Sequence, residues 1–144
     1  MGNSPSSQEH NCQNQAVNRL INPPSVAPPA ANYAHAVLST EAKRWLHTSG
    51  VVPIGPDGSV PESVDEQASV VWANIGAMLA EAGMVPSDVV SVTTYAVAGE
   101  QLSGVMAARD RFLAGHLAAS TLVTVPALAR PEWKMEIAIV AAAS

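Results

Sequence analysis

Ser63-Val64-Asp65-Glu66 opens the one segment of this chain whose two ends are both written into its own residues. The Ser63 hydroxyl can accept from a first-turn amide while the Glu66 carboxylate reaches back to the Ser63 amide, the reciprocal pattern of a capping box. Val64, Ala68, Val71, Ile75, Met78, Leu79 and Ala82 follow at helical spacing, and Gly83 stands where a left-handed terminator belongs. The spacing predicts a helix over 64–82 with one apolar stripe.

Around it the pattern alternates between strand and helix. Val89–Val97 is β-branched and aromatic and reads as a strand after the reset at Pro86-Ser87-Asp88. Glu100–His116 carries Leu102, Val105, Met106, Phe112 and Leu113 on one stripe with Arg109, Asp110 and Arg111 interleaved, a second amphipathic helix ending near Gly115. Ser120–Val125 is a short strand. In Trp133–Ala141, Trp133, Met135, Ile137 and Ile139 alternate with Lys134, Glu136, Ala138 and Val140. Upstream, His35–Ser39 and Arg44–Ser49 read as a β-hairpin, followed by a turn-rich loop over 53–61. Residues 1–30 hold five of the eleven prolines and little periodicity, and read as a flexible lead-in to a domain over 31–144. Met1-Gly2-Asn3-Ser4-Pro5-Ser6 fits a myristoylation pattern weakly.

The order is β-β-α-β-α-β-β, an α+β arrangement in which two helices cover one face of a sheet. Hydrophobic residues make up 48% of the chain and charged residues 13%, more apolar surface than one copy of this size can bury. Strand 89–97 is apolar on both sides, and strand 133–141 turns apolar on its second side at Ala138 and Val140. That second face needs a cover, and the sequence leaves nothing over to supply it. Another copy of the chain is the expected cover, giving an obligate homo-oligomer. A net charge of −5 with seven Lys and Arg leaves no basic stripe for phosphates, so nucleic-acid partners are not expected. No run is long and apolar enough to span a membrane. The single cysteine, Cys12, fits a reducing cytoplasm. No cofactor or metal motif is visible; His35 and His47, placed across the expected hairpin, lack a third ligand and read as a cross-strand pair. His116 suits a helix C-terminus.

The stretch Thr48-Ser49-Gly50-Val51-Val52-Pro53, the helix end Leu79-Ala80-Glu81-Ala82-Gly83, Asp88-Val89-Val90 leading to Thr93-Thr94-Tyr95, and Leu128-Ala129-Arg130-Pro131 through Glu136-Ile137 together resemble the reactive intermediate deaminase (RidA/YjgF) family, over about Tyr33 to Ala143. The resemblance implies a chorismate-mutase-like fold and a homotrimer with its sheets packed inward. It also implies three small-molecule clefts between subunits. Deaminating members hydrolyse the enamine and imine intermediates that pyridoxal-phosphate enzymes release. Carried over, the family's loop serine falls on Ser49, its tyrosine before the first strand on Tyr33, and its water-positioning glutamate on Glu136. The carboxylate-clamping arginine falls on Ala119 and the helix asparagine on Met106.

Ala119 cannot form the two charge-assisted hydrogen bonds of a guanidinium, each worth roughly 1.5–3 kcal/mol when desolvated. A 2-imino acid is therefore a poor expected substrate, and Arg130 is the one candidate replacement in the preceding loop. The expectation is a small-metabolite cleft with deaminase-like chemistry of altered specificity. The alternative is a non-catalytic ligand-sensing or protein-interaction module. Endoribonuclease action, attributed to some relatives, fits poorly with the acidic charge. On bland readings Glu136 is a salt-bridge partner of Lys134 or Arg130, Ser49 a turn residue, Tyr33 an anchor for the tail, and Trp45 and Trp133 packing residues.

Overall fold

The computed structural model describes residues 17–144; Cys12 and the Met1–Ser6 pattern lie outside the described residues. The element order is β1 (Asn18–Ile21), β2 (Ala36–Ser39), β3 (Arg44–His47), α1 (Val64–Glu81), β4 (Val89–Val97), α2 (Leu102–Leu113), β5 (Ala119–Val125) and β6 (Met135–Ala143), with a 3-10 turn at Pro86–Asp88. Four strands form a mixed sheet in the order β3-β6-β4-β5; β1 and β2 make a separate two-stranded ribbon.

The expected cap residues close α1, although only the Ser63 half of the capping box forms and the Glu66 carboxylate makes no bond back to the Ser63 amide. Ser63 Oγ accepts from the Glu66 amide at 3.1 Å. Beyond Ala82, Gly83 takes φ +68. The Met84 amide donates to Leu79 at 2.8 Å and the Gly83 amide to Ala80 at 3.0 Å, the paired bonds of a Schellman end. The α1 stripe buries Ala68, Val71, Ile75 and Leu79 against Val89 and Val92 of β4 and Met135, Ile137 and Ile139 of β6. Each large side chain so buried contributes about 1.5–3 kcal/mol. Trp72 stacks on Phe112 of α2 with ring centres 4.7 Å apart. Phe112 approaches so closely that a Cβ on Gly76 would lie 3.3 Å from its ring.

Two expectations need correction. The hairpin of β2 with β3 does not form. β2 pairs antiparallel with β1, and β3 with the end of β6, from Arg44↔Ala143 to His47↔Val140. The chain parts at the turn between them, where Glu41 takes φ +57 and the Thr40 and Lys43 amides donate to Val17 and Ala143 respectively. Alternation identifies a strand but not its neighbour, and the proline-rich stretch 23–29 is long enough to return β1 to β2. His35 and His47 are consequently not opposite each other: His35 Nε2 contacts the Ala27 carbonyl at 2.6 Å, and His47 stacks on Trp45. For the same reason residues 18–21 do not belong to a flexible lead-in. They form β1, and the Asn18 side chain donates to the Ala142 carbonyl at 2.8 Å.

Both helices lie on one face of the sheet. The other face presents Ser91, Thr93, Tyr95 and Val97 of β4, Glu136, Ala138 and Val140 of β6, and Ala119, Thr121 and Val123 of β5, as the registers require. β4 is thus mixed rather than apolar on this side. Val123 is 39% exposed here, and Trp45 of β3, paired with Ala142, is 51% exposed. Among the described residues no helix is long and apolar enough to cross a membrane.

Candidate functional site

Glu136 is carried on β6 at the row where its Cα partner is Tyr95, so its carboxylate rises from the open face. The segment after β3 runs along the same strand. Val51 and Ile137 exchange hydrogen bonds of 2.7 and 3.1 Å, and the Thr48 hydroxyl accepts from the Ile139 amide at 2.9 Å. That pairing draws the exposed Ser49 and Gly50 up to the Glu136 side chain. A Cβ at residue 50 would collide with Glu136 Oε2 and lie 3.1 Å from its Cδ. Gly50 does not have a left-handed φ, so its lack of a side chain serves the close approach of the carboxylate and not the backbone.

The bland assignments for Glu136 do not hold. Lys134 pairs instead with Glu100 at 3.8 Å, and the Arg130 guanidinium lies over the Trp133 ring, 5.3 Å from its centre. Among the described residues no salt bridge or side-chain hydrogen bond engages Glu136. Arg130, the expected stand-in at position 119, is exposed and rests on Trp133 in this structure.

The second group of expected residues sits elsewhere. Ala34 bridges Ala119 in parallel, its amide donating to the Ala118 carbonyl at 3.0 Å, so Tyr33 lies beside the outer edge of β5. The Tyr33 hydroxyl accepts from the Ala30 amide at 3.3 Å, and its ring meets His35 edge-on. Met106 is half-buried on α2, one turn before Arg109.

The two groups do not meet within one chain. Glu136 aligns with Tyr95 and Val123, whereas Ala119 aligns with Ser91 and Val140. They are therefore four residues apart along the strands and two strands apart across the sheet, roughly 16 Å at ordinary sheet spacings. Of the expected residues, Ser49 and Glu136, with Gly50, make one half and Tyr33 and Ala119 the other. A cavity of about 410 Å³ adjoins the first half, lined by Ser49, Gly50, Leu46, Asn74 and Met78, but Glu136 does not line it.

Two buried polar residues make contacts that the sequence reading did not anticipate. Gln67 of α1 is fully buried and fully satisfied. It donates to Pro61 and Glu132 at 2.8 and 2.9 Å and accepts from the Lys134 amide at 2.8 Å, so it fixes the approach to β6 two residues before Glu136. Its position four residues before Val71 on the apolar stripe was the available signal. Arg109, 6% exposed, lies on the helix side of β5 and donates to Ser120 Oγ at 3.1 Å and to Asp110 at 3.1 Å. Asp110 in turn accepts from Asn32 at 3.1 Å, next to Tyr33. Among the described residues no group of His, Cys, Asp and Glu is arranged to hold a metal.

Comparison with known proteins agrees with this architecture. YyfB of Yersinia pestis, a Rid-family protein of unknown function, is similar at 32% identity with a TM-score of 0.79, over 88% of this chain and 98% of that one. YjgF of Escherichia coli is similar at 25% identity and TM-score 0.64, over 86% and 98%. TdcF of Escherichia coli, solved with bound serine, shares the fold at 22% identity and TM-score 0.65, over 88% and 99%. A RutC family protein of Aquifex aeolicus is 35% identical over 78 residues, which are 54% of this chain and 60% of that relative's length. Residues 24–143 match the family described as endoribonuclease L-PSP. With its two helices on a mixed sheet, the chain belongs to that family, which includes the Rid and YjgF proteins.

Proposed function

We propose that this protein works as a homotrimer whose inter-subunit clefts bind a small metabolite and hydrolyse its C=N bond, with a specificity different from that of a 2-iminopropanoate deaminase. The observation that carries this reading is the Glu136 carboxylate, without an ion-pair partner and laid over the Ser49-Gly50 peptide on an uncovered sheet face. A second copy seated on that face brings the Tyr33–Ala119 half of one chain to the Glu136 half of its neighbour. The distance between the halves and the exposure of Trp45 and Val123 support oligomeric closure of the site.

The chemistry asked of the cleft is modest. A carboxylate orients a water and takes its proton while neighbouring groups hold the C=N carbon in line, steps worth roughly 10²–10⁴-fold for the proton transfer alone. Glu136 is the catalytic candidate. Ser49, Tyr33, Met106 and Ala119 are the substrate-binding ones, and no cofactor is needed for hydrolysis. Ala119 at the place of the family's carboxylate clamp, with Arg130 held on Trp133, supports the altered specificity. TdcF holds serine, which bears the carboxylate that such a clamp would grip.

The test is a panel of imines generated enzymatically and followed by ammonia release, with wild type and Glu136→Gln. Wild type is expected to accelerate hydrolysis of at least one imine, and Glu136→Gln to lose a hundredfold or more, on the order of what a general base supplies. If wild type turns over none of the panel, the non-catalytic ligand-sensing or interaction module is the better reading.

A further inference from the structure

We infer that the cleft selects a cationic imine without an α-carboxylate, the product of oxidising a primary amine and not an amino acid; this rests on the imine-hydrolase reading above. The inference comes from an account of the lysine and arginine side chains. The chain has seven Lys and Arg, none of them in residues 1–16. Four are committed. Arg44 donates to the Ala82, Gly83 and Ser144 carbonyls. Arg109 is buried on the helix side of β5 with Asp110 and Ser120, across the sheet from the Ala119 side chain. Arg130 covers Trp133. Lys134 shares the face of Glu136 but is held by Glu100. The remaining three, Arg19, Lys43 and Arg111, are exposed on β1, on the turn before β3 and on α2.

Glu136 therefore makes no ion pair within the chain, the one cation on its face, Lys134, is already paired with Glu100, and Ala119 carries no charge of its own. At about 5 Å and an effective dielectric near 20, one such charge favours a cation and disfavours an anion by on the order of a hundredfold each. A protonated imine, R–CH=NH2+, supplies the missing charge at the atom adjacent to the reacting carbon. A 2-imino acid adds a second carboxylate beside the first.

The reaction balances without any oxidant or reductant. The water oxygen bonds to the imine carbon as Glu136 takes one of its protons, and the π pair moves to nitrogen, leaving a neutral carbinolamine. Glu136 returns the proton to that nitrogen. The C–N bond then breaks as the C=O forms, and the hydroxyl proton passes through Glu136 to the departing ammonia. One iminium and one water give one aldehyde and one ammonium. The class of reaction that supplies the substrate is a two-electron oxidation of a primary amine.

The decisive experiment compares two imines that differ by one carboxylate, made in situ by oxidising benzylamine and D-phenylglycine, and follows their hydrolysis with wild type and Ala119→Arg. Wild type is expected to accelerate the benzylamine-derived imine at least tenfold more than the phenylglycine-derived one. Ala119→Arg is expected to shift that ratio by about a hundredfold toward the carboxylate-bearing imine, the value of one guanidinium–carboxylate pair. Acceleration of the carboxylate-bearing imine alone by wild type overturns the inference and leaves the hydrolase reading standing. Acceleration of neither overturns both. The wild-type ratio decides by itself if the arginine variant does not fold.

Discussion

Glu136 and Gly50 act as one unit, because the carboxylate occupies the space that any side chain at residue 50 would fill. Gly50→Ala is compatible with the backbone at that position, so the methyl group displaces the carboxylate and not the fold. The expected outcome is a loss of about a hundredfold in turnover, the usual cost of a displacement near 1 Å at a reacting centre, with the melting temperature little changed. Turnover and thermal denaturation measured on the same preparation check both halves. A large drop in melting temperature with proportionate loss of activity would assign Gly50 to folding instead. The sequence made Ser49 and Glu136 candidates only through their resemblance to family motifs, and Gly50 was not among the candidates. Their proximity was not legible, since it depends on the Val51–Ile137 bridge between segments far apart in the chain.

At the scale of elements, α2 ends on a residue that pays a steric penalty. Ala114 takes φ +49 and ψ +47, and Gly115 follows with φ +89. A left-handed conformation costs a residue with a Cβ roughly 1–2 kcal/mol. Ala114→Gly is expected to raise stability by about 0.5–1 kcal/mol after the entropic cost of glycine is counted. Chemical denaturation shows this as a higher midpoint at unchanged slope; a lower midpoint would contradict the cap geometry. The stop signal was read from Gly115, one residue late, because composition marks the glycine but not which residue turns first. Helices and their faces were legible because capping and 3.6-residue periodicity are local. The β1–β2 pairing was not, because edge partners are chosen by the path of an aperiodic, proline-rich loop. The close approach of α1 and α2 was hidden as well. It depends on small residues at the contact: Gly76 receives Phe112, and a Cβ on Gly104 would collide with Asp65.

For the whole molecule, the two faces of the sheet make opposite demands. Val92 is 1% exposed beneath the helices, whereas Val140 is half-buried on the open face. The apolar pattern of strands β4 and β6 marks both as buried and cannot say which side a second copy covers. A charge at Val92 attacks the core, so Val92→Asp is expected to unfold the chain, with a cost of several kcal/mol for the unpaired charge. Val140→Asp leaves the core intact and is expected to give a folded monomer, seen as one third of the native mass by light scattering with the circular dichroism retained. A monodisperse trimer of Val140→Asp would contradict the packing proposed for this face.

The roughly 16 Å between Glu136 and Ala119 has a genetic consequence. If neighbouring copies supply the two lips of each pocket, one gene writes both lips, and every codon change is stamped three times into the assembly. A cell carrying one sound allele and one damaged allele then builds mixed rings, in which a faulty chain disables a pocket it shares with a healthy neighbour. Inheritance of such a defect would lean toward dominance.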